Sequence, residues 1–307
     1  MSHGGSGGAL RAILYALGAN AGIAVTKFGA AVYTGSGAML AEAIHSVADC
    51  ANQLLLLLGM RQAQRPESVE YPLGYGRVVY YWAMMVALLL FMVGGLFSIY
   101  EGVQRVRHPE TVSNPMIALV VLGIAIVLET ISLMGALREI AKVRGSRAFL
   151  TWFRETRQSE LLVVAGEDIA ALGGLALAFV AVLASTLTGD PVYDAIGSIA
   201  IGVLLVVVAM AIIREVKGMI VGESAEPAVR AAIEAHLRAQ PDVRKVMRLI
   251  TLQWGERLVI AVQAEMDMSG SASDLVAAVN RVEASIQEKF PQARWVFFEP
   301  DTHDRQD

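Results

Sequence analysis

The sequence is poor in cysteine and in charge. It has a single cysteine, Cys50, and only 18% charged residues in a chain of 307. One thiol cannot form a disulfide framework or a multi-cysteine metal cluster within the chain. The formal net charge of -4 offers no basic face for neutralising phosphates, so we expect no nucleic-acid partner.

Apolar residues are abundant instead. They make up 55% of the chain, more than an ordinary soluble protein contains. Six segments reach the length of about 20 apolar residues that a helix needs to cross a bilayer, so we expect a bundle of six transmembrane helices. The predicted spans are Leu10–Tyr33, Ala38–Met60, Val78–Gly102, Met116–Leu137, Leu161–Leu187 and Val192–Ile213. We expect the first to be retained, because it lacks the basic leader and cleavage site of a signal peptide.

Basic residues concentrate on one side of the predicted bundle. The segments after the second, fourth and sixth spans carry Arg61, Arg65, Arg77, Arg138, Lys142, Arg144, Arg147, Arg154, Arg157, Arg214 and Lys217. The opposite side has Arg105 and Arg107. The positive-inside rule therefore predicts that both termini are cytoplasmic. The charge pattern favours a bacterial inner membrane.

The composition changes at about Glu215. Beyond it the pattern predicts helix, strand, strand, helix and strand, which is typical of an α+β domain of ferredoxin-like type. Ser273 is the predicted N-cap of the second helix of this domain. We therefore divide the chain into a flexible tail (1–9), a transmembrane domain (10–214) and a cytoplasmic ferredoxin-like domain (215–307). The predicted elements are Pro227–Ala239, Val246–Gln253, Leu258–Asp267, Ser273–Phe290 and Arg294–Phe298.

Ionisable residues inside a membrane span are costly and usually mark function. The second span holds Glu42, His45, Asp49 and Asn52. His45 and Asp49 are four residues apart, so they lie on one face of a helix. An imidazole and a carboxylate suit a divalent metal such as zinc. The alternative is a hydrogen bond between His45 and Asp49 that packs two helices.

The fourth and fifth spans add further carboxylates. Glu167 and Asp168 are adjacent, about 100° apart around a helix, so only one of them points squarely at an ion. We predict that Asp168 is a metal ligand and that Glu167 is a second ligand or a packing group. Glu129 lies in the fourth span; with Glu42 it is a candidate for an ion or proton path, or it hydrogen-bonds a neighbouring Ser or Thr. Lys27 is a candidate partner for one of these carboxylates.

Two segments resemble a known family. Ser36–Asp49 resembles the second-helix signature of the cation diffusion facilitators, and Tyr71–Arg77 resembles their loop before the third helix. The adjacent Glu167 and Asp168 are similar to a zinc-transporter-like branch of that family. The resemblance implies a homodimeric, proton-coupled antiporter, not an enzyme, that exports a divalent cation from the cytoplasm and carries no prosthetic group. It implies zinc first, with manganese, iron and cobalt as alternatives.

The chain also departs from the family's pattern. Val164 stands where the fifth helix usually has a histidine ligand, and Tyr71 replaces a histidine in the loop. A site with more oxygen ligands would suit manganese or iron better than zinc. The residues at ligand positions of the C-terminal domain are Gln263, Glu299 and Asp301, with His303 beyond them.

Two other functions stay open at this point. One is a membrane scaffold that has lost transport, which the replacement at Val164 allows. The other is an intramembrane metallohydrolase, which would usually carry a His-Glu-x-x-His motif that this sequence lacks.

Overall fold

The computed structural model describes residues 5–109, 114–267 and 270–302, and only the backbone of residues 5–16 and 18–20. The chain folds as two compact units. The first consists of Met1–Arg61, Tyr81–Ala148 and Ser159–Val216, and the second of Gln62–Tyr80, Phe149–Gln158 and Lys217–Asp307. The helices up to residue 221 are α1 (Gly5–Thr34), α2 (Gly37–Ala63), α3 (Val78–Arg107), α4 (Pro115–Arg144), α5 (Phe149–Glu155), α6 (Ser159–Thr188) and α7 (Val192–Val221).

Five of these helices, α2, α3, α4, α6 and α7, are long and apolar enough to cross a bilayer. They confirm the second to sixth predicted spans, and the chain is an integral membrane protein. Each helix extends beyond the predicted apolar run, because a formed helix gains one hydrogen bond for each residue added to it. The helix α1 is not among the five in the part of the chain that the structure describes, so its crossing of the membrane stays a prediction. It begins at Gly5, inside the predicted tail, whose first four residues lie outside the described ranges.

The middle of α3 departs from α-helical geometry. Leu90–Leu96 forms a π-helical segment, and the N–H of Phe97 donates to the carbonyl oxygen of Met92, five residues earlier. Glycine allows α3 to approach α7 at this point. A Cβ atom at Gly95 would lie 2.7 Å from Val206 Cγ2, so a larger residue would force the helices apart. Such close packing through small residues is typical of membrane helices.

A buried carboxylate fixes the start of α2. Asp194, in the first turn of α7, is 2% exposed. It accepts a hydrogen bond from Ser36 Oγ at 2.6 Å and another from the backbone N–H of Gly37 at 2.7 Å. Negative charge is favourable at a helix N-terminus, where N–H groups lack partners within the helix. Asp194 therefore holds the beginning of the helix that carries His45 and Asp49.

The second unit contains the predicted α+β fold. Its elements after α7 are α8 (Pro227–Arg238), β1 (Val243–Trp254), β2 (Arg257–Met266), α9 (Ala272–Lys289) and β3 (Ala293–Pro300). The sheet has the order β1-β2-β3, with β1 and β2 antiparallel and β2 and β3 parallel. One face packs on the two helices through a core that includes Ile233, Leu237, Leu258, Ile260, Val262, Val282 and Ile286.

The N-terminus of α9 corrects one detail of the sequence analysis. The N-cap is Ser271 and not Ser273. Ser271 and Asp274 form a capping box, in which each side chain accepts from the other residue's backbone N–H. The prediction was wrong because Ser273 stands in the first turn, where only its position in the sequence, and not the backbone geometry, resembles a cap.

Arg77 joins a loop of the second unit to the end of α7. Its Nη2 donates to the carbonyl oxygens of Met219 at 3.1 Å and Ile220 at 2.9 Å. Its guanidinium lies 4.8 Å from the centroid of the Trp254 ring. The last carbonyls of a helix have no partner within it, so an arginine fork stabilises this end. The loop that contains the Tyr71–Arg77 motif is thereby tied to its own unit.

Candidate functional site

The polar face predicted on α2 is buried. Glu42, His45 and Asn52 are each fully inaccessible to solvent. Asp49 follows His45 by one turn, and its carboxylate Oδ1 lies 3.6 Å from His45 Nδ1. That distance is too long for a hydrogen bond. The spacing in the sequence therefore brings the two side chains together, while the alternative of a direct hydrogen bond between them is not observed.

A cavity of about 330 Å³ lies among α1, α2, α4 and α6. Since a water molecule occupies about 30 Å³ in the liquid, the cavity could hold a hydrated ion. It is lined by Ile23, Ser46, Asp49, Gln53, Leu56, Leu57, Met60, Glu129, Ser132, Ala136, Glu160, Val164, Glu167 and Asp168. His45 is not part of this wall; its ring is buried beside Asp49. Asp49, Glu129, Glu167 and Asp168, predicted from three separate spans, thus share one cavity.

Glu42 is engaged by a lysine. Lys27 Nζ lies 3.4 Å from Glu42 Oε2 and donates to Ser46 Oγ at 2.9 Å. Both side chains of the pair are at most 3% exposed. A Cβ atom at Gly174 of α6 would overlap Glu42 Oε1, so this glycine makes room for the carboxylate. The candidate for an ion path at Glu42 therefore forms a buried ion pair and does not line the cavity.

Glu167 is engaged by an amide. Asn52 Nδ2 donates to Glu167 Oε1 at 2.5 Å, which joins α2 to α6. Both residues are buried, Glu167 at 7% exposed. This contact fits the prediction that Glu167 is a packing carboxyl, and its other oxygen leaves a role as ligand open.

Asp49, Glu129 and Asp168 form a second group among the carboxylates that line the cavity. Among the described residues, no hydrogen bond reaches Asp49, Glu129 or Asp168, and the sole charged contact is the one between Asp49 and His45. Both ring nitrogens of His45 and the Oδ1 atom of Asp49 are buried without a hydrogen-bond partner. Buried polar atoms without partners are uncommon and call for an ion or water.

These groups do not form a finished coordination sphere. Within the described ranges, no group of three or more His, Cys, Asp or Glu side chains is arranged closely enough to hold a metal ion. Val164 lines the cavity as an apolar residue, at the position where the resemblance noted in the sequence implies a histidine. Cys50 is a free, partly buried thiol outside the cavity wall.

Sequence reasoning missed several residues of the wall. Glu160 stands in the first turn of α6, just before the predicted span at Leu161, and Ser132 follows Glu129 by three residues. Gln53 follows Asp49 by four residues, and its buried Oε1 has no hydrogen-bond partner. Helical spacing from the predicted residues would have identified Gln53 and Ser132, since residues three or four apart share a face.

Two of the residues at the predicted ligand positions of the C-terminal domain are hydrogen-bonded to each other. Gln263 Nε2 donates to Asp301 Oδ2 at 2.9 Å, and Glu299 lines the same open face of the sheet as Gln263. His303 lies outside the described residues.

Comparisons with known proteins agree with these observations. A family model described as "Cation efflux transmembrane domain" matches residues 13–221. The chain is 32% identical over 241 residues to the "Proton-coupled zinc antiporter SLC30A9, mitochondrial" of Xenopus laevis, covering 78% of this chain and 43% of that protein. It is 32% identical to "Metal tolerance protein C4" of Arabidopsis thaliana, covering 70% of this chain and 47% of that protein. It is 26% identical to "Cation-efflux pump FieF" of Serratia proteamaculans, covering 85% of this chain and 82% of that protein. The chain spans less than half the length of the first two relatives.

Proposed function

Because this chain belongs to the cation efflux family, the cation diffusion facilitators, we propose that it exports a divalent transition-metal ion from the cytoplasm in exchange for protons. It then acts as a transporter and not as an enzyme, and the metal is its substrate, not a prosthetic group. The proposal depends on one observation above all. Carboxylates from α2, α4 and α6 line a single cavity within the membrane helices.

The ligands proposed for the ion are His45, Asp49 and Asp168, with Glu167 as a further candidate. The two residues of α2 lie within 3.6 Å of each other. Asp49, Glu167 and Asp168 face the cavity. His45 is fully buried with both ring nitrogens unpaired, so it would gain a partner when an ion binds at Asp49.

Exchange with protons follows from the chemistry of these ligands. Carboxylates and imidazole bind a metal ion in their deprotonated forms, so metal and protons compete for the same atoms. In the proposed cycle the ion binds from the cytoplasm, the helices expose the site to the other side, and protons displace the ion there.

Zinc is the ion that we propose first. A histidine beside carboxylates suits zinc, and one relative of this chain is named as a proton-coupled zinc antiporter. The apolar Val164 leaves the site richer in oxygen than a two-histidine site, which keeps manganese, iron and cobalt as candidates.

We propose a bacterial inner membrane as the location, with both termini in the cytoplasm. The cavity runs along α2 from Asp49 to Met60, about 16 Å at 1.5 Å per residue. It therefore reaches the end of α2 that continues into Arg61 and Arg65. That is the side that the positive-inside rule assigns to the cytoplasm.

We also propose a homodimer, which the resemblance implies. The face of the sheet that is not covered by α8 and α9 exposes Ile250 and Phe297 to 52% and 56%. They share one row with Ala261 across the three strands. A second copy of the chain would cover this apolar row.

The function is tested by metal uptake into proteoliposomes under an imposed pH gradient, with Zn²⁺, Mn²⁺, Fe²⁺ and Co²⁺ compared. We expect uptake of at least one ion, and initial rates lower by about tenfold or more in Asp49→Asn and Asp168→Asn. Asp190→Asn is the matched control, because Asp190 lies outside the cavity and asparagine caps a helix as well as aspartate does.

Folded protein that neither takes up nor binds any of the four metals would contradict the proposal. That result would favour the membrane scaffold. Rates in Asp49→Asn and Asp168→Asn equal to those of the control would leave transport in place but remove these residues from the site.

A further inference from the structure

The fourth helix presents a carboxylate on its inward face. Its buried residues, Ala118, Leu122, Ala125 and Ile140, recur at helical spacing. Glu129, Ser132 and Ala136 continue the same stripe and line the cavity. On the outward face, Ile124, Val127 and Ile131 are each more than half exposed, as befits a surface that meets lipid. Glu129 is the one charged residue of this inward stripe, and it faces the cavity.

The buried carboxylates fall into two groups, according to whether another side chain of the protein contacts them. Glu42 is paired with Lys27, and Glu167 accepts a hydrogen bond from Asn52. Glu129 and Asp168 have neither a hydrogen bond nor an ion pair among the described residues, and both line the cavity with Asp49. A carboxylate inside a membrane domain needs a cation or a proton to offset its desolvation. For Glu42 and Glu167 the protein itself supplies the donor. For Glu129 and Asp168 the cation or proton has to come from the cavity.

A second observation concerns the histidine beside the cavity. His45 is fully buried, both of its ring nitrogens lack hydrogen-bond partners, and Nδ1 lies 3.6 Å from Asp49 Oδ1. An imidazole and a carboxylate without hydrogen-bond partners are the kinds of group that ligate a divalent metal such as zinc.

We propose that Glu129 is a ligand of the transported ion, together with Asp49 and Asp168, and that it replaces the histidine missing at Val164. This inference rests on the proposed function and names one more residue of that site. The α4 helix packs along α6, so Glu129 on its inward face reaches the same cavity as Asp168. The ligand set then combines His45 with carboxylates on α2, α4 and α6, and α4 takes a direct part in binding.

The substitution of oxygen for nitrogen has a chemical consequence. Carboxylates suit harder cations than imidazole does, so a site built from Asp49, Glu129 and Asp168 binds Mn²⁺ and Fe²⁺ better, relative to Zn²⁺, than a site with a second histidine. Returning a nitrogen ligand at Glu129 would therefore move the preference toward Zn²⁺.

The test is the binding of Zn²⁺ and of Mn²⁺ to the purified full chain in nanodiscs, measured by titration calorimetry at neutral pH. We expect Glu129→Gln to raise the Kd of both ions by about tenfold or more, since the loss of a group that only supports a metal ligand already costs about 10–100-fold. Glu129→Asp keeps a carboxylate and should bind more tightly than Glu129→Gln. Glu139→Gln makes the same change on the exposed side of α4 and should bind like the wild type.

The variant Glu129→His distinguishes a role of Glu129 as a metal ligand from a role in helix packing. A ligand predicts that the ratio of Zn²⁺ to Mn²⁺ affinity rises above that of the wild type, whereas a packing role predicts an unchanged ratio. This variant also decides the question if Glu129→Gln does not purify as folded protein.

The binding data distinguish an error about Glu129 from an error about the whole metal site. If Asp168→Asn loses binding while Glu129→Gln binds like the wild type, Glu129 is not a ligand and the transporter stands. If the wild type binds neither ion, the site itself is wrong and the inference falls with it.

Discussion

The charged residues buried in the membrane domain differ in which neighbouring group offsets their charge. Lys27 and Glu42 neutralise each other in a place that solvent does not reach. We expect Lys27→Met to destabilise the protein by about 3–5 kcal/mol, because it leaves a buried carboxylate without its cation. The measurement is thermal unfolding of the detergent-solubilised protein by tryptophan fluorescence.

The double variant Lys27→Met/Glu42→Gln provides the control for this pair. Removing both charges should recover much of the loss, since the cost comes from the unpaired charge. Equal losses in the single and the double variant would mean that the ion pair is not what holds α1 against α2.

At the scale of the element, α9 depends on its capping box. Ser271 Oγ accepts from the N–H of Asp274 at 3.3 Å, and Asp274 Oδ2 accepts from the N–H of Ser271 at 2.8 Å. We expect Ser271→Ala to reduce the stability of this helix by about 1 kcal/mol. Ser273→Ala should have little effect, because Ser273 does not cap the helix. Hydrogen exchange of the α9 amides measures both, and an equal loss of protection would contradict the assignment.

The capping box also predicts a dependence on pH. The hydrogen bonds from the side chain and backbone of Ser271 lower the pKa of Asp274 below its ordinary value of 3.8. A lowered pKa in the folded state means that the stabilisation is complete above 3.8 and is lost as the pH falls through the folded value. Protection of α9 should therefore decline in acid in the wild type, and Asp274→Asn should remove that part of the decline.

At the scale of the whole molecule, the open face of the sheet predicts the assembly. If the proposed homodimer forms around a two-fold axis parallel to the strands, β1 of one protomer faces β3 of its partner, and Arg248 of one would then lie over Glu299 of the other. We expect mass photometry to give twice the mass of the chain for the wild type and the mass of one chain for Phe297→Asp. Val276→Asp, an exposed residue of α9, is the control and should stay dimeric. A dimeric Phe297→Asp protein would place the interface elsewhere.

Most of the predictions that depend on a local sequence pattern agree with the structure. The apolar runs identified five spans, because hydrophobic length alone decides whether a helix can cross a bilayer. The spacing of His45 and Asp49 placed them on one face, because helical periodicity fixes neighbours on the same helix. The N-cap of α9 was misplaced by two residues, since a cap depends on backbone geometry that several nearby serines could adopt.

By itself, the sequence determined that this is a metal-transporter-like membrane protein with a C-terminal α+β domain, and it identified the ionisable residues inside the spans. Only the tertiary structure decided which of those residues share a cavity and which are already neutralised. The sequence made Lys27 a candidate partner for a carboxylate, but only the packing of α1 on α2 decided that its partner is Glu42. Asn52 and Glu167 are 115 residues apart on different helices, and no local pattern predicts their pairing. The availability of Asp49, Glu129 and Asp168 to an ion is therefore a property of helix packing, because it depends on donors that other helices bring or withhold.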